Sequence, residues 1–421
     1  MKKAIVLGLG KTGISACAFL HKEGYEVMAT DDKQTVAPHG AKFAPSSDLV
    51  EKVKSFDFVL ISPGVPPTHP LAQAALKAGV ELFCDVELAL RYLKDVPLFG
   101  ITGSNGKTTT TSLTCHMLQC ASINARTVGN IGVPVLDEIQ TAKDPLVIEL
   151  SSFQLETMKT PALQAACILN ITPNHLDRHG SMDEYTRAKR RIALCLKPGG
   201  VLWVQRAVKW EKDQFTFGFE PDCDLYTDGL QLFRHHKKEA TLPESLQHSK
   251  SHDVENFMAA FALAREYKVS PEVCVEAFYS FTKPKHRLQF VRTVDNVHYY
   301  DDSKATSVDA VIRAVESLKQ PIVLIAGGVH KGHPYDAWCD VFKDKVRATV
   351  LIGQAAKNIE NDLQGVCPIY NAQSLHDAIY EARKLTKPGD AVLLSPGCAS
   401  YDMFSSYEER GDKFQEIVSK L

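Results

Sequence analysis

The sequence predicts an α/β protein with three domains, and three observations lead to this fold class. Short runs of apolar and β-branched residues alternate with helical stretches along the whole chain, which is typical of mostly parallel sheets covered by helices. At 421 residues the chain is longer than one hydrophobic core usually serves. Two glycine-rich loops, at residues 8–13 and 103–106, each follow an apolar run and precede a helical one.

The order of strands and loops divides the chain at two places. Residues 1–94 are predicted to form a Rossmann-like domain, residues 95–283 a central domain of the P-loop ATPase type, and residues 284–421 a second Rossmann-like domain. Strands are predicted at residues 3–7, 25–29, 56–61, 96–102, 145–149, 166–171, 200–204, 297–300, 320–326, 348–352 and 391–394, and helices at residues 13–22 and 108–119.

Composition excludes several classes of partner. The net charge of −2 gives no electrostatic reason to expect nucleic acid or an anionic membrane as the main partner. Eleven cysteines without a C-x-x-C pair suit reduced thiols better than a disulfide framework, and no apolar run approaches the length of a membrane span. We therefore expect a cytoplasmic protein, with a monomer as the default.

The strongest single motif is the run Thr-Gly-Ser-Asn-Gly-Lys-Thr at residues 102–108. Glycines let backbone N–H groups approach phosphate oxygens, and the following helix adds the positive end of its dipole. Lys107 would balance charge on the β- and γ-phosphates of ATP, and Thr108 would hold Mg²⁺. The usual pattern has a further glycine five residues before Gly106, where this chain has Ile101. The alternative is a glycine-rich turn without a ligand.

The first glycine motif has two interpretations. Gly8, Gly10 and Gly13 match G-x-G-x-x-G after a strand, and Asp31 and Asp32 end the second predicted strand. Alone, this pattern indicates NAD or FAD. Because its physics demands only a diphosphate at a helix N-terminus, a nucleotide-sugar diphosphate fits it equally well.

Three further residues are candidates whose local chemistry leaves alternatives open. Glu149 ends a predicted strand beside the phosphate loop and suits a magnesium-holding carboxylate or a solvated acid. His175 follows the next strand and suits a metal ligand, a substrate contact or an ordinary surface histidine. Lys189 suits a solvated basic helix face, or a buried amine that takes up CO₂ to become a carbamate.

Two polar runs follow strands in the third predicted domain. Residues 301–306 place two acids, a lysine and two hydroxyls in one turn. Residues 395–402 are predicted to open a helix and so to form an anion-binding geometry. Either run could also be an ordinary polar turn.

Together these motifs resemble the Mur ligases, the ATP-dependent amino-acid-adding enzymes of bacterial cell-wall precursor synthesis. The resemblance runs through residues 102–108, 129–132, 149–154, 174–177, 252–256 and 285–287. Within that family, the run Asp-Ser-Lys-Ala-Thr at residues 302–306 is similar to the branch that adds D-glutamate, as are residues 395–400 and 407–411.

The resemblance implies an activity and its cofactors. The enzyme would use ATP and two Mg²⁺ ions to add D-glutamate to UDP-N-acetylmuramoyl-L-alanine through an acyl phosphate. The first domain would bind the UDP-linked substrate, the central domain ATP, and the last domain the amino acid.

It also implies a role for each matching residue. ATP would be bound by Gly103, Ser104, Asn105, Gly106, Lys107, Thr108, Thr109, Asn256, Arg287 and Asp302. The UDP-linked substrate would be bound by Lys11, Thr12, Asp31, Gly64, Asn130 and His175. D-glutamate would be bound by Lys304, Thr306, Lys331, Ser400 and Tyr407. Magnesium would be held by Thr108, Glu149, His175 and a carbamylated Lys189, and catalysis would rest on Lys107, Glu149, His175, Lys189 and Lys304.

Two other functions remain as alternatives at this point. Another ATP-dependent amino-acid ligase of the same superfamily would share the phosphate loop but should lack the run at residues 302–306. An NAD-binding oxidoreductase would account for the first glycine motif but would not explain the phosphate loop.

Overall fold

The computed structural model describes residues 2–33, 35–208, 214–332 and 334–421. Within these residues the strands form three sheets, in which most neighbouring strands are parallel. The chain divides into two compact units. The first unit comprises Met1–Ile171 with Thr186–Phe281, and the second unit comprises Thr172–Tyr185 with Thr282–Leu421. The predicted α/β class with three sheet-containing parts is confirmed, whereas the domain borders after residues 94 and 283 stay predictions.

The first sheet, in the first unit, is parallel throughout, with the strand order β3-β2-β1-β4-β5. Its strands are β1 at Lys3–Leu7, β2 at Glu26–Thr30, β3 at Lys42–Phe43, β4 at Phe58–Ile61 and β5 at Glu81–Phe83. Its helices are α1 at Lys11–Lys22, α2 at Ser46–Lys52, α3 at Pro70–Ala78 and α4 at Asp85–Tyr92. The order reverses between β1 and β4, which is where open α/β sheets bind ligands.

Two glycines let α1 pack tightly on this sheet. A Cβ at Gly13 would lie 1.9 Å from the carbonyl oxygen of Gly8, and Gly8 itself has a φ of +94°. The hydroxyl of Ser62 donates to the same Gly8 carbonyl at 2.7 Å. The loops after β1 and β4 are therefore joined directly, and larger residues at 8 or 13 would separate them.

The second sheet, also in the first unit, has the order β14-β13-β12-β11-β10-β9-β6-β8-β7. Its strands are β6 at Leu98–Thr102, β7 at Arg126–Gly129, β8 at Leu146–Glu149, β9 at Leu163–Ile168, β10 at Leu196–Gln205, β11 at Phe215–Gly218, β12 at Leu225–Thr227, β13 at Gln231–Arg234 and β14 at Lys237–Thr241. The last two pairs are antiparallel and the other pairs are parallel. The chain order reverses between β6 and β9, which places a second ligand-binding edge at the loops after these strands.

The helices between residues 107 and 280 connect or follow the strands of the second sheet. They are α5 at Lys107–Cys120, α6 at Val135–Glu138, α7 at Ser152–Leu155, α8 at Leu176–His179, α9 at Met182–Arg190, α10 at His252–Glu266 and α11 at Pro271–Ser280. Helix α10 is buried along most of its length because its residues 257–264 are almost all apolar.

One hydrophobic cluster of the first unit contains residues of both of its sheets, among them Val6, Leu60, Ile148 and Leu163. A buried carboxylate lies in the same region. Glu87 of α4 accepts hydrogen bonds from the backbone N–H groups of Lys159 and Thr160, at 2.8 and 3.0 Å, and from the Thr160 hydroxyl at 2.6 Å. This acid fixes α4 to the segment that enters β9.

The third sheet, in the second unit, has the order β15-β16-β20-β17-β18-β19. Its strands are β15 at Gln289–Val294, β16 at Val297–Asp301, β17 at Ile322–Gly327, β18 at Val346–Ile352, β19 at Ile369–Asn371 and β20 at Ala391–Leu394. Only β15 is antiparallel to its neighbour among the described strands of this sheet. The helices are α12 at Val308–Ser317, α13 at Trp338–Lys345, α14 at Ala356–Asp362, α15 at Leu375–Leu385 and α16 at Tyr407–Ser419.

Two sequence predictions of element borders were wrong. The strand expected at residues 166–171 is β9, which ends at Ile168, so Asn170 and Ile171 lie in the loop. The helix expected to open at residues 395–402 begins only at Tyr407. Residues 395–406 form a loop instead, so the anion-binding helix N-terminus inferred for residues 395–402 is absent from that segment of the described chain.

We expect the substitution Glu87→Ala to destabilise the first unit by about 2–4 kcal/mol, because the N–H groups of Lys159 and Thr160 would lose their acceptor. Urea denaturation followed by fluorescence measures the effect. Glu81→Ala is the matched control, since Glu81 is about half exposed and pairs with Arg91 and Lys159. The control should cost less than about 1 kcal/mol. Equal shifts for the two variants would contradict the role given to Glu87.

Candidate active site

The phosphate loop joins β6 to α5 and has the geometry its sequence predicted. Strand β6 ends at Thr102, and α5 begins at Lys107 after Gly106, which has a φ of +82°. A Cβ at position 106 would lie 2.3 Å from Oδ1 of Asn256. Gly106 is therefore needed for its backbone conformation and also for the close approach of α10.

The ammonium group of Lys107 is folded back over this loop. Its Nζ donates to the carbonyl oxygens of Gly103 and Ser104, at 2.8 and 3.0 Å. These bonds hold a positive charge at the start of α5, where the helix dipole also favours an anion. The loop is thus arranged as an anion-binding site.

Asn170, which the sequence analysis missed, fixes the other side of the loop. Its carbonyl oxygen accepts from the N–H of Ser104 at 2.8 Å, and its Oδ1 accepts from the N–H of Asn105 at 2.8 Å. Its Nδ2 donates to the carbonyl of Asn105 at 3.1 Å. The signal was available: an amide residue follows β9, the strand that neighbours β6 at the point where the sheet order reverses.

Thr108, Glu149 and Asn130 form a hydrogen-bonded chain beside the loop. The Thr108 hydroxyl donates to Oε2 of Glu149 at 2.8 Å, and Nδ2 of Asn130 donates to Oε1 of Glu149 at 2.7 Å. Glu149 is almost fully buried, so the alternative of a solvated strand-end acid is wrong. A hydroxyl and a carboxylate are hard oxygen donors, which is the chemistry that Mg²⁺ requires.

Lys189 is buried, with only 1% of its surface exposed. Its Nζ donates to the carbonyl of Gly103 at 2.8 Å and lies 3.5 Å from the hydroxyl of Thr102. Burial, and next the ammonium group of Lys107, lower the pKa of Lys189 well below its usual value, while Glu149 acts in the opposite direction. The alternative of a solvated basic helix face is therefore wrong for this lysine.

Other residues expected to bind ATP surround the loop in the first unit. Ser104 and Thr109 are buried in the loop and in the first turn of α5. Asn256 of α10 is also buried, and its Oδ1 accepts from the hydroxyl of Thr110 at 3.2 Å. Thr110, which the sequence analysis did not single out, thus orients the side chain of Asn256.

The residues expected to bind UDP lie at the carboxyl edge of the first sheet. Asp31 accepts hydrogen bonds from the N–H groups of Leu9 and Lys33, at 2.7 and 2.8 Å, so its carboxylate shapes the glycine loop. Lys11 and Thr12 start α1, and Gly64 is exposed in the loop after β4. The structure brings these loops together at the reversal between β1 and β4.

In the second unit, residues expected to bind D-glutamate lie in the loops after β16, β17 and β20. Nζ of Lys304 lies 4.9 Å from the ring centroid of Tyr407, a cation–π contact. Nζ of Lys331 donates to the carbonyl of Thr306 at 2.8 Å. Ser400 is buried in the loop after β20.

Asp302 is buried in the same unit. Its Oδ1 accepts from the N–H of Leu288 at 3.0 Å, and its Oδ2 accepts from the hydroxyl of Ser395 at 2.8 Å. Burial raises the pKa of Asp302 to about 7, against the lowering effect of these hydrogen bonds. Arg410, to which the sequence analysis gave no role, is also buried and donates to Oγ and O of the next residue, Ser303, at 2.9 and 2.8 Å.

His175 and Arg287 both belong to the second unit. His175 has a left-handed backbone, with a φ of +53°, and precedes α8. The metal site shared by His175 and Lys189 stays a prediction, as does the joint binding of ATP by Asn256 and Arg287. In the described part of the chain, no group of three or more His, Cys, Asp or Glu side chains is placed to hold a metal ion.

No helix among the described residues combines the length and the apolar character that crossing a membrane requires.

Comparison with protein families gives three matches along the chain. The model described as Mur ligase MurD-like, N-terminal domain, matches residues 2–84. The Mur ligase middle domain matches residues 101–264. The model described as Mur ligase, glutamate ligase domain, matches residues 286–398.

Curated relatives match the whole chain. The UDP-N-acetylmuramoylalanine–D-glutamate ligase of Protochlamydia amoebophila is 39% identical, with 100% of this chain and 98% of the relative covered. The enzyme of the same name from Caldicellulosiruptor saccharolyticus is 36% identical, with 100% and 99% covered.

Solved structures share the fold. The UDP-N-acetylmuramate-alanine ligase MurC of Thermotoga maritima matches with a TM-score of 0.62 and 18% identity over 100% of both chains. The MurF ligase of Thermotoga maritima in complex with ADP matches with a TM-score of 0.60 and 16% identity over 94% of both chains. At these identities the two likenesses concern the fold alone.

Proposed function

This chain belongs to the Mur ligase family, and we propose that it uses ATP to join D-glutamate to UDP-N-acetylmuramoyl-L-alanine. Membership makes it an ATP-dependent ligase that forms an amide bond. The full-length relatives named for D-glutamate support the choice of amino acid. One structural observation carries the proposal. The ammonium group of Lys107 lies over the phosphate loop, and the hydroxyl of Thr108 next to it is hydrogen-bonded to Glu149.

The chemistry explains why ATP is needed. A carboxylate is a poor electrophile, and transfer of the γ-phosphoryl group of ATP to the alanyl carboxylate gives an acyl phosphate with a good leaving group. The N–H groups of the phosphate loop and the ammonium group of Lys107 bind and orient the phosphates. The amine of D-glutamate then attacks the acyl carbon, phosphate leaves, and the amine loses a proton to give the amide.

Thr108 and Glu149 would hold one magnesium ion. Magnesium is usually held by one or two carboxylates together with phosphate oxygens and waters, so this small donor set fits it. When bound, the ion would neutralise negative charge on the phosphates. Asn130 orients Glu149 by donating to its Oε1, so that the other carboxylate oxygen, Oε2, faces Thr108.

Lys189 would add an anionic oxygen ligand as a carbamate. The lowered pKa of the buried amine favours its neutral form, whose nitrogen can bond to the carbon of CO₂ and release a proton. The product would carry a negative charge, which the ammonium group of Lys107 favours. The carbamate would be one ligand of the second magnesium ion that the resemblance implies.

The second unit would supply the cations for D-glutamate. Lys304 and Lys331 offer positive charge for two carboxylates, and Thr306 and Ser400 offer hydroxyl groups. The ring of Tyr407 restricts where the ammonium group of Lys304 can lie.

The first sheet would bind the UDP part of the other substrate. Its glycine loop and the N-terminus of α1, with Lys11 and Thr12, suit a diphosphate. Asp31 and Gly64 belong to the same edge of the sheet, where Asp31 shapes the loop through Leu9.

We also place the reaction in the cytoplasm. All eleven cysteines lie among the described residues and are free thiols, which suits a reducing compartment where ATP is made.

An amino-acid panel tests this function. ADP release is measured with UDP-N-acetylmuramoyl-L-alanine, ATP and Mg²⁺, and each amino acid in turn. We expect D-glutamate to support turnover, and L-glutamate, D-alanine, L-lysine and diaminopimelate to be at least about 100-fold slower. Lys107→Ala should abolish turnover, and the exposed-lysine control Lys197→Ala should retain it. Equal rates for several amino acids, or an active Lys107→Ala variant, would refute the assignment.

The carbamate is tested by replacing its lysine. We expect Lys189→Ala to slow D-glutamate-dependent ADP release on the order of 10²–10³-fold, the loss typical when one electrostatic contact to the reacting group is removed. Formate or acetate at millimolar concentration should restore part of the rate, because a free carboxylate can take the place of the carbamate. Lys197→Ala should show neither the loss nor the response. A Lys189→Ala variant that keeps the parent rate would rule the carbamate out.

A further inference from the structure

Arg287 lies between two residues with unusual backbone conformations. His286 and Leu288 have φ angles of +61° and +42°, in the left-handed region that residues other than glycine rarely adopt. Such conformations persist only where the surrounding structure holds them, and they cluster at functional sites. The backbone on both sides of Arg287 is therefore under constraint.

Two consecutive acids at the end of β16 supply that constraint. Oδ2 of Asp301 lies 2.6 Å from Nδ1 of His286, and Oδ1 of Asp302 accepts from the N–H of Leu288 at 3.0 Å. In addition, the carbonyl of His286 accepts from the N–H of Lys304 at 3.1 Å. The segment on each side of Arg287 is thus fixed to the same strand end.

Two further groups hold Asp301 in place. It is fully buried, and besides its contact with His286 it accepts hydrogen bonds from Nε2 of Gln415 at 2.7 Å and from the N–H of Ser303 at 2.9 Å. The carboxylate is therefore fixed between the loop, helix α16 and the end of β16.

Helix α16 closes the other face of the imidazole ring. A Cβ at Gly411 would lie 2.1 Å from Nδ1 of His286, so the helix backbone packs against the ring. Nε2 of His286 lies 3.6 Å from Oδ1 of Asp412. His286 is 2% exposed, which leaves its side chain little freedom.

We propose that Asp301 and His286 are positioning residues that hold Arg287 in place for ATP. This inference rests on the proposed function, in which Arg287 contacts ATP. The buried pair sets the strained backbone at 286, and the neighbouring bond from Asp302 sets it at 288. The Cα atom of Arg287 is consequently held in a fixed position, and only its side chain is left to adjust. Neither Asp301 nor His286 itself needs to contact the nucleotide.

A double-mutant cycle tests this relation between Asp301 and Arg287. The dissociation constant of ATP with Mg²⁺ is measured by titration calorimetry on the full chain, without the other substrates. We expect Asp301→Asn to weaken binding about tenfold, because the NH₂ group of asparagine would face either the N–H of Ser303 or the side-chain amide of Gln415. In the Arg287→Ala background the same change should alter binding less than about twofold, since the residue it positions is gone.

Asp301→Ala and His286→Gln are measured in the same way. If one of the variants misfolds, the others still test whether ATP binding depends on this pair. Thermal melting checks that each variant is folded. The matched control is Asp295→Ala, which removes an exposed ion pair with Arg383 in the same unit and should leave ATP binding unchanged.

Three results would overturn the proposal: unchanged ATP binding in all variants of Asp301 and His286, equal weakening with and without Arg287, or a parent chain that does not bind ATP. D-glutamate-dependent ADP release by the parent chain is assayed separately. ATP binding that follows the cycle without such ADP release would leave the positioning role standing and refute the proposed function.

Discussion

Two lysine side chains converge on one backbone carbonyl, and the chemistry of the first unit depends on this contact. Nζ of Lys107 and Nζ of Lys189 each lie 2.8 Å from the oxygen of Gly103. Lys189 is buried and Lys107 is half-buried. Their ammonium groups repel each other, which together with burial lowers the pKa of Lys189 and favours its neutral form. In the proposed function, Lys107 is the charge that faces phosphate, and Lys189 is the amine that would react with CO₂. Glu149, which accepts hydrogen bonds from Thr108 and Asn130, supplies a carboxylate in the same region.

The sheets explain why these groups meet. In each of the first unit's sheets the strand order reverses beside the first strand, and the loops at that reversal carry candidate site residues. They are the glycine loop with Ser62 in the first sheet and the phosphate loop with Asn170 in the second. In the second unit the loops after the neighbouring strands β16, β20 and β17 carry Asp302, Ser395 and Lys331. Parallel strands end at one edge, so residues distant in sequence are collected there without any special long-range signal.

Much of the fold and of the candidate site was predictable from the sequence. Apolar runs predict buried strands and glycine motifs predict loops, and both patterns can be recognised within a few residues. The strands β1 and β20 have the predicted borders, and the phosphate loop, Glu149 and the run after Asp301 lie where expected. Local spacing left the burial of Lys189 open, since a helix with three basic residues in its last turn gives the pattern of a solvated face, and only the family resemblance favoured the buried amine. Asn170 and Arg410 were missed because their partners lie in loops distant in sequence, and such contacts leave no trace in spacing. A helix was predicted to open at residues 395–402 because serine is common at helix starts, but serine and glycine also favour turns, and the helix begins only at Tyr407.

We propose that Lys189 carries a carbamate because burial beside Lys107 lowers the pKa of its amine and favours the neutral form. Carbon-13 NMR of the protein equilibrated with ¹³C-labelled bicarbonate measures this directly. The account predicts a carbamate resonance in the parent protein and in Lys197→Ala that Lys189→Ala lacks. Identical spectra for the parent and Lys189→Ala would contradict it.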